Sequence, residues 1–395
     1  MFSNKNKKNN FLVICHSYNS FQKDSTDVLA SEFCSLNVLV RINPFADIGK
    51  IFPFLYLEQY STKAKIDKNK IPDNLQIYPT KVWYLPTERG YKTLGEKHLF
   101  SVEKQIGDHK IAFDLIHAHF TWSSGYVGAR LKERYGVPFV VTAHGYDIYS
   151  LPFKDVFWRK NIEYVLNTAD RIITVSQSNF DCIRKLDVNT PVHVIPNGFR
   201  RDLFKPREMS ECRRVLCLPL DKKILLTVGN LVPVKGQKYL VEAFKEIVGQ
   251  RKDILCVIVG IGTEKDALMR QIRSLGLKDY ISLAGRRPHY EIPLWMNASD
   301  IFVLPSMRES FGVVQIEAMA CGKPVVATRN GGSEEIITSD EYGLLVEPAD
   351  SGDLAEKILI ALDREWDREK ILAYAERFTW ENISREIVGV YKNIC

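Results

Sequence analysis

The sequence lacks the features that place a chain in a membrane or in an oxidising compartment. No apolar run approaches the roughly 20 residues that a membrane-spanning helix needs. The eight cysteines include no CxxC pair, and several lie in apolar strand or helix contexts typical of a reducing compartment. The basic start is followed by a very short apolar stretch and no cleavage pattern, so we interpret it as a tail before the first strand. These absences predict a cytoplasmic protein.

Signatures of three ligand classes are missing as well. No two aspartates have D-x-D spacing, and no group of histidines and cysteines has the spacing of metal ligands. The Gly260-x-Gly262 turn has no third glycine and lies deep in the chain, which disfavours a nicotinamide cofactor. There is no zinc-finger spacing and no other recognition module for nucleic acid. We therefore predict no cofactor, no metal site and no nucleic-acid partner.

Charge is distributed unevenly along the chain. The first 200 residues hold 26 Lys and Arg against 19 Asp and Glu, whereas the remainder is close to neutral. A basic half can attract anionic lipid headgroups or a charged acceptor. The excess equally suits a solvated tail and the lysine-rich segment 63–70. Charge alone therefore leaves peripheral membrane association open.

The chain alternates apolar strands with helical patterns in two successive arrays. The strand patterns fall at residues 11–17, 37–44, 113–120, 138–144, 170–176 and 192–198, and then at 222–230, 253–262, 280–285, 300–306, 324–328 and 343–348. Such alternation is typical of βαβ units and mostly parallel sheets. It predicts an α/β protein with two Rossmann-like domains that face each other across a cleft. Between Pro44 and Pro86 we find no clear pattern and expect an irregular region.

The most informative segment runs from Ser306 to Thr328 and reads SMRESFGVVQIEAMACGKPVVAT. It follows a buried strand and places Glu309 and Glu317 on either side of a turn that leads into a helix. In open α/β sheets such a loop lies at the carboxyl end of the strand, where ligands bind. The amides of residues 310–313 would form an anion site suited to a phosphate-linked sugar. Spacing alone also allows a helix-dipole role for Glu309 and a solvated position for Glu317.

This segment and its neighbours resemble the donor-binding half of the retaining glycosyltransferases of family 4, also called group 1, which have the GT-B fold. The resemblance rests on ESFGVVQIEAMACGKPVVAT, GGSEEII, GLLVEP, FDLIHAHF, VVTAHGYDIY, ADRIITVSQSN, VHVIPNGF and VGNLVPVKGQKYLVEAF. It covers most of residues 114–348, and FTWENISREIVGVY resembles the closing helix of the family. It implies an acceptor-binding domain over residues 1–200, a donor-binding domain over 201–378, and a helix over 379–395 that crosses back to the first domain.

The resemblance also implies roles for residues of the second domain. Glu317 matches a ribose clamp, Glu309 a residue near the donor sugar, and Lys235 the lysine that neutralises the leaving diphosphate. Asn230 stands where the family usually has an arginine, so one cation replaces two unless Arg286, Arg287 or Arg308 compensates. Further donor contacts are implied for Gly229, Gly260, Gly262, Arg286, Ser310, Phe311, Gly312 and Val313.

In the first domain, the resemblance implies that His144 approaches the donor sugar, where an imidazole can donate to a hydroxyl group. His119 matches the family pattern better than His117 and is assigned to the acceptor side. Asp147 would orient His144 or meet the acceptor. The family often has a Gly-rich turn after its first strand, and this chain has none at residues 17–20.

The combined prediction is a metal-independent, retaining hexosyltransferase that moves a sugar from a nucleotide diphosphate sugar to a hydroxyl acceptor. Its product would be a polysaccharide, a glycolipid or a lipid-linked glycan, so its partners would be the donor and a glycan or lipid-linked acceptor. The enzyme would act in the cytoplasm, including the inner face of the membrane. Two alternatives stay open: a nucleotide-sugar epimerase of the same fold, and an inactive GT-B binding subunit.

Overall fold

The computed structural model describes residues 9–50 and 61–394, and the predicted N-terminal tail lies outside these residues. The chain divides into two compact units. One runs to Pro196 and resumes at Trp380, and the other extends from Asn197 to Thr379. Each unit contains a parallel β-sheet flanked by helices. The predicted α/β class with two Rossmann-like domains is thereby confirmed.

The described part of the first unit contains a seven-stranded sheet, and that of the second a six-stranded sheet. The strands are β1 (Asn10–Cys15), β2 (Ser35–Ile42), β3 (Leu75–Lys81), β4 (Leu115–His119), β5 (Phe139–Ala143), β6 (Arg171–Thr174), β7 (Val192–Val194), β8 (Lys223–Val228), β9 (Ile254–Val259), β10 (Ile281–Gly285), β11 (Ile301–Leu304), β12 (Val325–Thr328) and β13 (Gly343–Val346). Their orders are β3-β2-β1-β4-β5-β6-β7 and β10-β9-β8-β11-β12-β13. The direction of winding reverses between β1 and β4 and between β8 and β11, the positions where doubly wound sheets bind ligands.

Helices connect successive strands on both faces of the sheets, as parallel pairing requires. They are α1 (Ser20–Leu29), α2 (Thr62–Lys65), α3 (Glu88–Lys92), α4 (Leu94–His109), α5 (Tyr126–Tyr135), α6 (Tyr146–Tyr149), α7 (Val156–Thr168), α8 (Gln177–Ile183), α9 (Met209–Val215), α10 (Gln237–Gln250), α11 (Lys265–Ser274), α12 (Ile292–Ala298), α13 (Val313–Ala320), α14 (Ser333–Ile336), α15 (Ser351–Asp363), α16 (Arg368–Ala375) and α17 (Trp380–Lys392). No helix among the described residues is long and apolar enough to span a membrane.

Burial explains why the central strands were readable from the sequence. Every residue of β5 (FVVTA) and of β11 (IFVL) is buried. Strands covered by helices on both faces read as continuous apolar runs with many β-branched residues. The first sheet has a core cluster on each face, and a further core cluster packs against the second sheet.

The expectation of an irregular region between Pro44 and Pro86 is wrong for residues 75–81. These residues form β3, which pairs in parallel with β2 from Leu36↔Leu75 to Ile42↔Lys81. Strand β3 lies at the edge of the sheet and is only partly buried, so its apolar pattern is weak. Its Pro79 suits an edge strand, because a proline has no backbone N–H to donate to a neighbouring strand. Residues 51–60 of the same region lie outside the described part of the chain.

The closing helix α17 belongs to the first unit, although its sequence follows the second. The Tyr391 hydroxyl is hydrogen-bonded to His117 Nδ1 at 2.7 Å, and the Tyr391 ring lies 5.4 Å from the ring of Phe11. Both partners are buried residues of the first sheet. His117 is thus fixed in the core by the returning helix, and its Nε2 lies 2.7 Å from Thr142 Oγ1.

Candidate active site

Glycines bring the loops after β8 and β9 into direct contact at the carboxyl edge of the second sheet. A Cβ atom on Gly260 would lie 1.9 Å from the carbonyl oxygen of Gly229, and one on Gly262 would lie 2.2 Å from that of Leu231. Gly260 also has a φ of +154°, which residues with side chains rarely adopt. The amide of Glu264 donates to Leu231 O at 2.9 Å. Two of the predicted donor-site glycines, Gly260 and Gly262, therefore also have a packing role, whereas a Cβ on Gly229 would meet no atom closer than 4.0 Å.

Lys235 and Glu309 come from separate loops and meet as an ion pair. Lys235 ends a short turn after β8, and Gly236 follows with a φ of +65°. Only glycine fits there, because a Cβ would lie 2.0 Å from the carbonyl oxygen of Pro305 at the end of β11. This close approach places Lys235 Nζ 2.6 Å from Glu309 Oε1. Their side chains are 27% and 11% exposed, so the lysine stays accessible to a ligand.

Asn330 fixes the Glu309 loop and was missed in the sequence. Its carbonyl oxygen accepts from the Glu309 amide at 3.0 Å. Its side-chain Oδ1 accepts from the amides of Gly332 at 3.1 Å and of Ser333 at 2.9 Å. The residue is 5% exposed, so these bonds replace lost hydration. An asparagine directly before Gly-Gly-Ser is a turn signal that could have identified it.

The turn between Glu309 and α13 leaves a helix N-terminus without a side-chain cap among the described residues. Gly312 precedes α13 with a φ of +86°. The Phe311 residue is only 2% exposed, and its ring lies 5.9 Å from that of Phe378. Any ligand contact of Phe311 would therefore come from its backbone. Ser310 and Val313 are partly exposed and lie beside it. Such an N-terminus attracts anions through its amides and the helix dipole.

Glu317 is a buried, partnered side chain and not a solvated helix residue. Its side chain is 7% exposed, and His289 Nε2 donates to its Oε1 at 2.9 Å. The ring of Phe204 lies 5.3 Å from that of His289. His289 was missed in the sequence because it follows β10 with no motif spacing that links it to Glu317.

Asn230 and Arg286, the remaining predicted donor contacts, are both exposed. The Asn230 carbonyl oxygen accepts from Gln237 Nε2 at 3.1 Å, which ties the loop after β8 to α10. Neither predicted residue makes a side-chain hydrogen bond or ion pair within the described ranges. Asn230 therefore brings no second positive charge to the loop that holds Lys235.

In the first unit, His119 and His144 lie at the ends of neighbouring strands. His119 Nδ1 and His144 Nε2 are 3.0 Å apart, and their rings are nearly parallel at 5.2 Å. Burial lowers the pKa of His119 to about 4 and holds the pKa of His144 well below its usual range. Both imidazoles are therefore neutral near pH 7, and one donates the hydrogen bond to the other.

Asp147 holds the backbone around His144. Its Oδ1 accepts from the amides of His144 at 3.1 Å and Gly145 at 2.8 Å, and its Oδ2 accepts from the Thr121 amide at 2.8 Å. The residue is buried, which raises the pKa of its carboxyl group, and these amides oppose that rise. These contacts favour the predicted role of Asp147 in positioning His144 over a contact with the acceptor. They position His144 through its main chain and not through its ring.

No group of three or more His, Cys, Asp or Glu residues able to hold a metal ion occurs in the part of the chain that the structure describes. At the second sheet edge, charged side chains are supplied by Lys235, Glu309 and Glu317.

Comparison with known proteins identifies the family. Residues 209–378 match the model of the glycosyl transferases group 1, and residues 65–203 match that of glycosyltransferase family 4. A D-inositol 3-phosphate glycosyltransferase of Acidothermus cellulolyticus is 33% identical over 306 residues, which are 71% of this chain and 67% of that protein. The chain belongs to the family 4 glycosyltransferases. The predicted family and enzyme class are thus confirmed.

Solved structures of the same architecture match this glycosyltransferase over almost its whole length. Sucrose-phosphate synthase of Thermosynechococcus elongatus has a TM-score of 0.79 at 23% identity, and covers 97% of this chain and 98% of its own. HepE of Anabaena, in complex with UDP and glucose, has a TM-score of 0.73 at 25% identity, and covers 97% of this chain and 99% of its own. These likenesses confirm the predicted GT-B fold.

Proposed function

We propose that this glycosyltransferase moves a sugar from a nucleotide diphosphate sugar to a hydroxyl acceptor, with retention of configuration and without a metal ion. The observation that carries the proposal is the Lys235–Glu309 ion pair, 2.6 Å long, at the carboxyl edge of the second sheet. The Anabaena structure in complex with UDP and glucose supports a nucleotide diphosphate sugar as donor.

Lys235 is proposed to stabilise the leaving diphosphate. Negative charge develops on this group as the glycosidic bond breaks, and a preorganised cation lowers the energy of that state. Glu309 holds the ammonium group in place before the donor binds. The amides at the start of α13 would supply further donors to the phosphates. This arrangement would give the diphosphate an ammonium group and main-chain amides as hydrogen-bond donors.

Glu317 is proposed to bind the ribose of the donor. One of its oxygens accepts from His289, and an ionised carboxylate has lone pairs left for hydroxyl donors. A buried carboxylate that accepts from two neighbouring hydroxyls is the device by which dinucleotide folds hold ribose. His289 fixes the orientation of the carboxylate before the donor arrives.

Retention is proposed to follow from attack on the face from which the diphosphate leaves. The leaving phosphate oxygen would take the acceptor proton, so no separate protein base is needed. His144 would then donate a hydrogen bond to the donor sugar as a neutral imidazole, a role proposed from the family resemblance. Its lowered pKa agrees with a hydrogen-bonding role, because the ring is uncharged near pH 7.

We also propose that the enzyme acts in the cytoplasm on a glycan or lipid-linked acceptor at the membrane surface. An exposed patch at the edge of the first sheet supports this proposal. Trp83 is 54% exposed and Phe100 is 73% exposed, and Lys97 and Lys104 lie beside them. Exposed aromatic side chains with lysines around them suit the interface of an anionic membrane.

The first test screens nucleotide diphosphate sugars by thermal shift, because a bound donor raises apparent stability. The selected donor is then incubated with acceptors, with and without a chelator, and the anomeric configuration of the product is read by NMR. We expect retained configuration and chelator-resistant turnover. An isomerised donor in the absence of acceptor would favour the epimerase, and donor binding without turnover would favour the binding subunit.

The membrane proposal is tested by sedimentation with vesicles. We expect binding to vesicles that contain anionic lipid and weaker binding of a Trp83→Ser, Phe100→Ser double variant. Phe153→Ser is the matched control, because Phe153 is also an exposed aromatic residue of the first unit. Equal binding of the double variant and the wild type would contradict the assignment of this patch.

A further inference from the structure

A buried pair of cations lies at the β2 side of the first sheet, apart from the His119–His144 pair. Arg41 is next to the last residue of β2 and is 7% exposed, and Lys65 ends α2 and is 9% exposed. Lys65 Nζ donates to the carbonyl oxygen of Arg41 over a long 3.4 Å. Arg41 donates to the neutral hydroxyl of Ser123 at 2.7 Å, and its guanidinium lies 5.7 Å from the centre of the Tyr84 ring. No carboxylate within the described ranges forms an ion pair with either cation.

Two nearby polar atoms are buried without a hydrogen-bond partner in the described part of the chain. They are Arg41 Nε and His16 Nδ1, the latter on the residue that follows β1. Burial lowers the pKa of His16, and the nearby positive charges of Arg41 and Lys65 lower it further. Because buried polar atoms are nearly always satisfied, two such atoms beside unneutralised cations indicate a missing partner, and for Arg41 Nε that partner is an acceptor.

A buried arginine with a purely structural role looks different in this protein. Arg213 is 5% exposed and is fully engaged: its guanidinium donates to Asp300 at 2.7 Å and to three carbonyl oxygens. Arg41 has no comparable set of acceptors. Burial and the charge of Arg41 lower the pKa of Lys65 to about 7, as expected when like charges are crowded without an anion.

We propose that Arg41 and Lys65, with His16, bind an oxyanion, best represented by a phosphate group, on the acceptor. This inference rests on the proposed function, because it assigns the anion to the substrate that receives the sugar. A guanidinium and an ammonium together supply several donors to phosphate oxygens and the charge to balance them. The site lies beside the position where the first sheet reverses its winding, since Arg41 is on β2 and His16 follows β1.

The test uses the full chain and calorimetric titration with three probes: inorganic phosphate, glucose 6-phosphate and UDP. Lys65→Met removes the buried ammonium group, and Lys63→Met is the matched control because Lys63 is an exposed lysine of the same helix. We expect Lys65→Met to bind phosphate and glucose 6-phosphate at least about tenfold more weakly. Lys63→Met should stay within about twofold of the wild type. UDP should bind equally to all three proteins.

Thermal unfolding without ligand separates binding from structure. Lys65→Met should be no less stable than the wild type, because the lysine has no ion pair to lose. A lower melting temperature in Lys65→Met would assign Lys65 to the fold and overturn the inference. So would weaker UDP binding with unchanged glucose 6-phosphate binding, since the site would then serve the donor.

Two outcomes separate this inference from the proposed function. Transfer to neutral acceptors by an enzyme that binds no phosphate would overturn the inference and leave the proposed function standing. Lys65-dependent binding of phosphate and glucose 6-phosphate in a protein that transfers no sugar would support the anion site and remove the proposed function.

Discussion

The charged side chains at the carboxyl edges of the two sheets differ in whether they have partners. In the second unit the charged side chains that meet at the site have partners: Lys235 pairs with Glu309, and Glu317 accepts from His289. In the first unit, Arg41 and the neighbouring Lys65 have no carboxylate partner among the described residues. This difference indicates that the second edge is ordered before a ligand binds, whereas the first edge lacks an anion.

Each arrangement has a physical consequence for binding. A partly exposed ion pair costs little to maintain, and it holds Lys235 ready for an incoming diphosphate. A buried cation without a counter-ion is unfavourable, so an anionic ligand gains from supplying one. The same chain thus uses a preformed pair on one sheet and an incomplete cluster on the other.

The largest expected effect tests the preformed pair. Glu309→Gln and Lys235→Met should each lower kcat about 1,000-fold, because the charge stabilisation of the leaving diphosphate depends on both. Unfolding free energies should change by no more than about 1 kcal/mol, since the pair is partly exposed. Steady-state kinetics and urea unfolding measure the two quantities. Lys238→Met, an exposed lysine of α10, is the control. Near-normal turnover in both variants would remove the proposed mechanism.

The second contact of that edge should affect binding more than turnover. Glu317→Gln keeps the shape of the side chain but loses its charge, so donor affinity should fall about tenfold. His289→Ala should have a smaller effect in the same direction, because it only releases the orientation of Glu317. Titration with the nucleoside diphosphate of the selected donor gives both affinities. A larger loss in His289→Ala than in Glu317→Gln would reverse the assigned roles.

Acidification should weaken the first unit through its buried histidines. The pKa of His119 is about 4 in the folded chain, against 6.5 for the ordinary group, so the unfolded state binds more protons between these values. Stability is therefore present above pH 6.5 and is lost as the pH falls toward 4, by up to about 1.4 kcal/mol per pH unit for this group.

Hydrogen exchange of the β4 and β5 amides between pH 6.5 and 4.5 would measure this loss, after correction for the intrinsic rates. His119→Gln should have a flatter dependence than the wild type, since it removes one of the titrating groups. An identical dependence in both proteins would show that His119 does not contribute.

The smallest expected effect concerns the missing second cation. Asn230→Arg should bind the donor about threefold more tightly, because Asn230 is exposed and an added charge there is well screened. Titration with the donor at low and high salt would show whether the gain is electrostatic. Asn69→Arg, at an exposed position of the first unit, controls for net charge. Unchanged donor affinity would mean that residue 230 does not face the diphosphate.

The sequence predicted the elements that have strong local patterns. The buried runs of β5 and β11 were readable because burial on both faces makes every residue apolar. Strand β3 was not, because an edge strand is half exposed and here contains Pro79. The apolar pattern of a strand is stronger when more of the strand is buried. Prediction from the sequence was therefore weakest at the edge of the sheet.

The site residues divide in a similar way. Lys235 and Glu309 were predicted from motifs, but their contact joins residues 74 positions apart. Asn330 was recognisable in principle from its Gly-Gly-Ser turn. His289 and Arg41 gave no signal, because a histidine after a strand and an arginine within one are common. Their significance depends on which groups lie beside them.

The sequence by itself determined the alternation of strands and helices, the family and the loop that carries Glu309 and Glu317. These features depend on periodicity and on residues that are neighbours in the chain. Only the tertiary structure decided which charges are paired, which cations are not, and which histidines are neutral. Such properties depend on burial and on distances of a few ångströms between loops, which are set when separate strands end at the same edge of a sheet.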